Sequence, residues 1–212
     1  MRLVIDKLVP QSVRWRLHPL RARVERQVWR LRGRPAVGNH FKQERVLRLG
    51  AQYGCRILVE TGTHVGEMVA ATRRQFDAVY SIELFRPLFE SSRRRFRNAR
   101  NVFLYQGDSA QCLPQVIARV DGRALFWLDG HYSGEGTGKG ESECPVLGEL
   151  TAIATHPRHD HCILIDDARL FGVHPDYPPV EEIRRQLLRI NPAYTVTVQD
   201  DCIVALPPLN AS

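Results

Sequence analysis

The chain has 212 residues, 43% of them hydrophobic, and a formal charge of +7. That length supports one good core and leaves no room for two full domains, and no apolar run approaches the roughly 20 residues of a membrane span. Five cysteines stand singly (Cys55, Cys112, Cys144, Cys162, Cys202) without the paired spacing of zinc sites, an odd count that suits a reduced, cytoplasmic protein rather than a disulfide scaffold.

The positive charge is concentrated at one end. Residues 1–50 hold thirteen Lys and Arg against three Asp and Glu, whereas residues 51–212 hold seventeen against twenty. In the opening "MRLVIDKLVPQSVRW", Arg2, Asp6 and Lys7 interrupt every apolar run, so it lacks the apolar core of a signal peptide. "PLRARVERQVWRLRGR" places Leu20, Val24, Val28 and Leu31 on one helical stripe with arginines around it, which predicts a basic amphipathic helix within an N-terminal extension over residues 1–38. Three uses compete for it: packing on a second subunit, which ranks first, contact with an anionic membrane surface, and binding of nucleic acid.

Residues 39–212 read as one α/β domain. "NHFKQERVLRLGAQYGCR" spaces Phe41, Val46, Leu49 and Tyr53 as a helix that Gly54 stops. From residue 56, short apolar runs alternate with helical segments: "RILVETG", "AVYSIEL", "VFLYQGDS", "ALFWLDGH" and "HCILIDDAR", separated by helices over 65–75, 86–99, 110–120 and 144–155. This alternation predicts βαβ units and a parallel sheet. The helix "PPVEEIRRQLLRI" is followed by "YTVTVQDDCIVALP", two strands joined by a tight turn at Asp200–Asp201, an antiparallel hairpin that closes the sheet.

Ligands of open α/β sheets bind outside the carboxyl ends of the strands, and every run ends on an acid: Glu60, Glu83, Asp108, Asp129 and the pair Asp166–Asp167. Any one of them could simply cap a helix; five in register suggest a site. A dinucleotide fingerprint would need glycines at 62, 64 and 67, where the chain has Gly62, His64 and Glu67, and Glu60 would repel a pyrophosphate. An acidic rim favours a cationic or neutral ligand. Nor is "HYSGEGTGKGESE" (131–143) a phosphate loop, because Ser133 and Gly140 stand where a Gly and a Ser or Thr are required. Its glycines suit a flexible flap or substrate lid, or else a plain connection.

Glu60-x-Gly62-x-x-x-Gly66, the acid at Glu83, "GDS" at Asp108 and the terminal hairpin together resemble a class I S-adenosylmethionine-dependent methyltransferase, over about residues 40–207. The resemblance implies a Rossmann-like, seven-stranded, mostly parallel sheet with an antiparallel last strand. It also implies a cofactor lying over the first three strand ends: Gly62, Thr63, His64 and Gly66 in the turn, Glu60 near the amino-acid end, Glu83 on the ribose hydroxyls, and Asp108 with Ser109 near the adenine, with Asp129 also among the cofactor-binding residues. The chain departs from the pattern at His64, where many relatives carry a second Gly.

Asp129, His131, Asp166 and Asp167 fall at the ends of the fourth and fifth strands with no basic partner nearby in sequence. Three carboxylates so placed suggest a hard divalent cation. They resemble the metal-dependent small-molecule O-methyltransferases of catechol and macrolide-sugar type, which makes Asp129, Asp166 and Asp167 candidate magnesium ligands. The other reading has Asp166 capping a turn and Asp167 paired with Arg169. His131, whose ordinary pKa suits proton abstraction near neutrality, is the candidate base beside Asp129; the Lys that catechol-type relatives use shortly after the strand-four Asp is missing, and Lys139 in the glycine-rich loop substitutes for it only if that loop folds inward. The expected function is methyl transfer from S-adenosylmethionine to a hydroxyl of a small molecule, a sugar or secondary metabolite, with or without magnesium. The alternatives are an RNA methyltransferase docking through the basic arm, and a non-catalytic cofactor-binding module.

Overall fold

In a computed structural model, residues 38–130 and 144–209 are described. They form α1 (Asn39–Gln52), β1 (Ile57–Thr61), α2 (Glu67–Thr72), β2 (Ala78–Glu83), α3 (Arg86–Arg95), β3 (Val102–Gln106), α4 (Ser109–Ile117), β4 (Ala124–Leu128), α5 (Val146–Ala154), β5 (Cys162–Ile165), a 3-10 turn at Ala168–Leu170, α6 (Val180–Ile190), β6 (Thr195–Gln199) and β7 (Cys202–Leu206). The seven strands make one sheet in the order β3-β2-β1-β4-β5-β7-β6. β1 to β5 are mutually parallel, and β7 runs antiparallel between β5 and β6. This is the expected Rossmann-like sheet with its antiparallel last strand. The predicted basic extension and the glycine-rich loop 131–143 lie outside the described residues.

Side chains alternate across the strands and so build two cores. Ile57, Val59, Phe126 and Leu128 face one side with Leu113, Leu150, Ile183 and Leu187 of α4, α5 and α6. Leu58, Leu125, Trp127 and Leu164 face the other with Val46 and Leu49 of α1 and with Met68 and Val69 of α2. β1, β4 and β5 are buried throughout, as a strand covered by helices on both faces must be, and each large apolar side chain so removed from water contributes about 1.5–3 kcal/mol.

Two turns set the ends of α1 and of the hairpin. Gly54 takes φ +63, and its N–H and that of Cys55 donate to the Ala51 and Gly50 carbonyls at 3.3 and 2.8 Å, ending α1 where the sequence predicts. Asp200 and Asp201 both have positive φ (45° and 62°), the backbone a two-residue hairpin needs and one that Asp tolerates.

At the amino end of the sheet a buried histidine pair ties β4 to β5. His156 Nε2 faces the Val120 carbonyl at 2.9 Å and its Nδ1 accepts the Arg158 N–H at 3.0 Å; His161 Nε2 lies 3.0 Å from that Nδ1, and His161 Nδ1 accepts the Ala124 N–H at 3.1 Å. The chain of bonds closes only with one proton on each ring, at Nε2. Burial, reinforced by the neighbouring His156, pushes the His161 pKa down from 6.5 to about 3. The unfolded chain therefore binds this proton first: the contribution of His161 to stability is complete above pH 6.5 and is lost as pH falls toward 3. Buried acids slope the other way, so the readout is the difference between parent and His161→Phe in denaturant unfolding. The parent's advantage should shrink steadily as pH drops through that window, and a pH-independent difference would refute the assignment.

Candidate active site

The strand order reverses between β1 and β4, and at such a switch point a crevice opens beyond the carboxyl ends of the strands. All five acidic positions of the sequence lie along this edge. Glu60 is within β1, Glu83 ends β2, Asp108 precedes α4, Asp129 follows β4 and Asp166 follows β5. Glu60, Glu83 and Asp166 are buried and need compensation, whereas Asp108 and Asp129 are half-buried, and the compensation differs from one to the next.

Glu60 is 2% exposed and accepts a short hydrogen bond from Ser81 Oγ, which in turn pairs with Thr63 Oγ1 at 2.6 Å. Burial raises its pKa to about 8; the Ser81 bond opposes that shift, and the negative charges of Asp129 and Glu83 add to it. Glu83 accepts the His64 N–H at 2.6 Å and the Phe85 N–H at 2.8 Å. Burial still lifts its pKa above the usual carboxylate value against those bonds. Each of its oxygens keeps a second lone pair for a ligand hydroxyl.

The turn between Glu60 and Gly66 explains the departure at His64. His64 adopts φ +50, the left-handed backbone a glycine would take, and its carbonyl is held by Ser92 Oγ at 3.1 Å. Gly62 sits at φ +81, where a Cβ would lie 2.2 Å from the Asp129 carbonyl oxygen, so the turn after β1 passes directly against the end of β4. Thr61 fixes that approach, accepting the Asp129 N–H with its carbonyl and its Oγ1, both at 3.2 Å.

Asp108 caps α4 by accepting the Ala110 N–H at 2.9 Å. Ser109 donates to Glu149 Oε1 at 2.6 Å; Glu149, on α5 and 1% exposed, was not among the residues the sequence singled out. Its oxygen, with the Thr61 and Ser109 hydroxyls, surrounds the backbone at Gly130. The only sequence signal for Glu149 is an acid inside an apolar helix.

The Asp129, Asp166 and Asp167 group differs from expectation. The sequence offers these carboxylates no basic neighbour, but the fold delivers one from 124 residues away: Lys42 Nζ on α1 makes a short ion pair with Asp166 and lies 3.9 Å from Asp167. Burial works against the ammonium, yet Asp166, Asp129 and Asp167 together raise its pKa well above the ordinary lysine value. Asp167, at φ +55, also pairs with Arg169 at 2.8 Å, as the alternative reading of the sequence has it. Arg169 also bonds Asp201 of the β6–β7 turn, whose carboxylate accepts the Arg169 N–H at 2.9 Å. Among the described residues no group of three or more His, Cys, Asp or Glu side chains is disposed to hold a metal ion. With an ammonium seated on Asp166, the donor set does not fit magnesium. The candidate base His131 and the substitute Lys139 lie outside the described residues.

No protein-family model matches the chain, and no curated protein sequence does. Solved structures do. The O-methyltransferase TomG from Streptomyces achromogenes, involved in tomaymycin synthesis and solved with S-adenosylmethionine, is similar at a TM-score of 0.58 and 18% identity, over 88% of this chain and 89% of that one. An O-methyltransferase from Bacillus cereus in complex with S-adenosylhomocysteine has a TM-score of 0.58 and 17% identity, over 96% and 94%. The N-methyltransferase NodS from Bradyrhizobium japonicum has 0.52 and 12%, over 79% and 95%. At such identities the likeness establishes the fold alone, one that this chain shares with these methyltransferases. Because these neighbours include both O- and N-methyltransferases, the fold does not select the acceptor atom.

Replacing Gly62 by Ala tests the geometry of the turn. The left-handed backbone alone costs an L-residue about 1–2 kcal/mol, and the overlap with the Asp129 carbonyl adds to it. Gly62→Ala should lower the midpoint of thermal unfolding by several degrees, whereas Gly122→Ala, with open space at its Cβ, should cost far less. Equal costs would refute the close approach.

Proposed function

We propose that this chain transfers the methyl group of S-adenosylmethionine to an oxygen of a small-molecule acceptor. The observation that carries the reading is the set of carboxyl groups at the switch point, Glu60 and Glu83 on adjacent strands with Asp129 across the crevice, around a turn that admits no pyrophosphate fingerprint. Such a lip suits a ligand with a cationic end and a pair of neighbouring hydroxyls. A sulfonium nucleoside with an amino-acid tail has both.

In this reading Glu83 accepts the ribose hydroxyls with the lone pairs that His64 and Phe85 leave, and Glu60 faces the amino-acid end. Asp129 lies between the donor and the acceptor side, where Asp166 and Lys42 stand. Methyl transfer is an in-line displacement, so the protein's main task is to hold the acceptor oxygen against the sulfonium carbon; such positioning supplies up to ~7–11 kcal/mol of the barrier. The hydroxyl acceptor, as a sugar or secondary metabolite, is favoured over RNA because the acidic side of the crevice would repel a phosphate backbone. His131 as proton acceptor, and subunit packing through the basic extension, rest on the sequence alone. Among the described residues no helix is long and apolar enough to cross a membrane.

The test is calorimetric. S-adenosylhomocysteine should bind the full chain, and Glu83→Ala should weaken that binding roughly tenfold or more with the fold intact, the loss expected of charge-assisted hydrogen bonds. Glu60 supplies a signature of its own. With its pKa raised to about 8 it is largely protonated at neutral pH, and a ligand amine beside it favours the ionised form. Affinity should therefore rise with pH and level off above 8, with a proton released per ligand bound, read as a dependence of the binding heat on buffer ionisation. Glu60→Gln should remove both effects. Absence of binding by the parent would end the methyltransferase reading.

A further inference from the structure

We propose that Lys42 is the resident cation of the acceptor side of this site, its ammonium taking the place among Asp129, Asp166 and Asp167 that a divalent ion would otherwise fill, so that the chain needs no metal there. The inference rests on the methyl-transfer reading for its consequence and on geometry for its substance. Asp166 follows β5 directly and its side chain is 2% exposed, so its charge requires a partner inside the protein. That partner is Lys42 Nζ, bonded to Asp166 and 3.9 Å from Asp167, on a side chain that keeps 14% of its exposure. The side chain thus ends at the acidic cluster while part of it keeps contact with solvent. A lysine ammonium is a compact charge with three donors, so bonding to Asp166 leaves it donors for an acceptor oxygen.

The lysine is fixed there by the helix that carries it. α1 buries Phe41, Val46 and Leu49 against the sheet. Three residues on from Lys42 and on the same side of the helix, Arg45 is 4% exposed, reaches Asp200 at 3.3 Å and lies 4.9 Å from the Phe41 ring. Asn39 ties the start of α1 to Glu67 of α2 at 2.6 Å. On the far side of the cluster Arg169 holds Asp167 and Asp201. A divalent ion entering this arrangement would have to displace the ammonium from Asp166 and leave it buried beside a dication, a like-charge contact in a poorly hydrated setting.

A lysine that only clamped α1 to the sheet would make the same ion pair, so the test reads metal binding and not stability. Mn(II) is titrated by electron paramagnetic resonance into the full-length parent and into Lys42→Ala, Lys42→Gln and Lys42→Arg, with folding checked by circular dichroism. The parent and Lys42→Arg should show only weak, surface-type binding. Lys42→Ala and Lys42→Gln should each gain a site for one Mn(II) per chain, at least roughly tenfold tighter than anything in the parent. Adding Asp166→Asn to Lys42→Ala should abolish it. A tight Mn(II) site in the parent, or no gain in the folded Ala and Gln variants, would overturn the proposal; should both variants unfold, a tight site in the parent would still overturn it. S-adenosylhomocysteine binding is measured on the same samples. If the parent fails to bind it, the methyltransferase reading falls while the Mn(II) comparison keeps its meaning.

Discussion

A carboxylate withdrawn from water must be neutralised by a proton, by hydrogen-bond donors or by a cation, and the upper edge of this sheet uses all three. Glu60 keeps its proton to about pH 8. Glu83 and Asp108 take backbone N–H groups. Asp166, Asp200 and Asp201 take Lys42, Arg45 and Arg169. The division follows position: donors and a proton serve the β3, β2 and β1 side, and fixed cations serve β5 and the hairpin turn. One half of the crevice thereby remains able to ionise in response to a ligand, while the other half is already compensated. On the proposed reading, a cationic donor lies over β1 and β2, and an acceptor over β4 and β5.

The compensated half depends on α1 and on the β6–β7 turn, neither of which belongs to the strand ends themselves. α1 contributes Lys42 and Arg45 from a helix whose apolar residues are spent in the core, so the packing that stabilises the fold also sets the charge of the site. The turn contributes Asp200 and Asp201 through left-handed backbone that also closes the hairpin. Because β7 is inserted between β5 and β6, this turn is brought back to the end of β5, where the Ala168 N–H donates to the Asp201 carbonyl at 3.0 Å.

The strands and most helices were legible because their signals are local. Apolar runs bounded by acids and turn residues gave β1 to β5, and Gly54 and the Asp200–Asp201 pair gave both turns. The helix over 65–75 is shorter in the structure, Glu67–Thr72, because the stretch from Gly62 to Gly66 is spent on a turn whose left-handed glycines and His64 press it against β4. Pairing across distance stayed hidden. Ser109 and Glu149 are 40 residues apart, His161 and Ala124 are 37 apart, and Lys42 and Asp166 are 124 apart. The expected metal site turns on that last pair: only the basic residues close in sequence to Asp166 bore on the expectation, and Lys42 comes from a helix that precedes the sheet. The terminal extension, the loop 131–143 and His131 fall outside the described residues, so the sequence remains the only ground for reading them.

The nature of the cation also bears on the acceptor. A divalent ion bound by carboxylates can chelate two neighbouring oxygens of a substrate at once, which selects vicinal diols and lowers the pKa of the coordinated hydroxyl. An ammonium is a monocation that donates single hydrogen bonds and cannot chelate. A site built around Lys42 therefore gives up the selectivity for catechol-like pairs and much of the acidifying power of a metal, and it must remove the acceptor's proton with a base of its own. In the proposed function that shifts the acceptors it suits toward single hydroxyls, with His131, the next proton-accepting side chain after Asp129 in the sequence, as the proposed base.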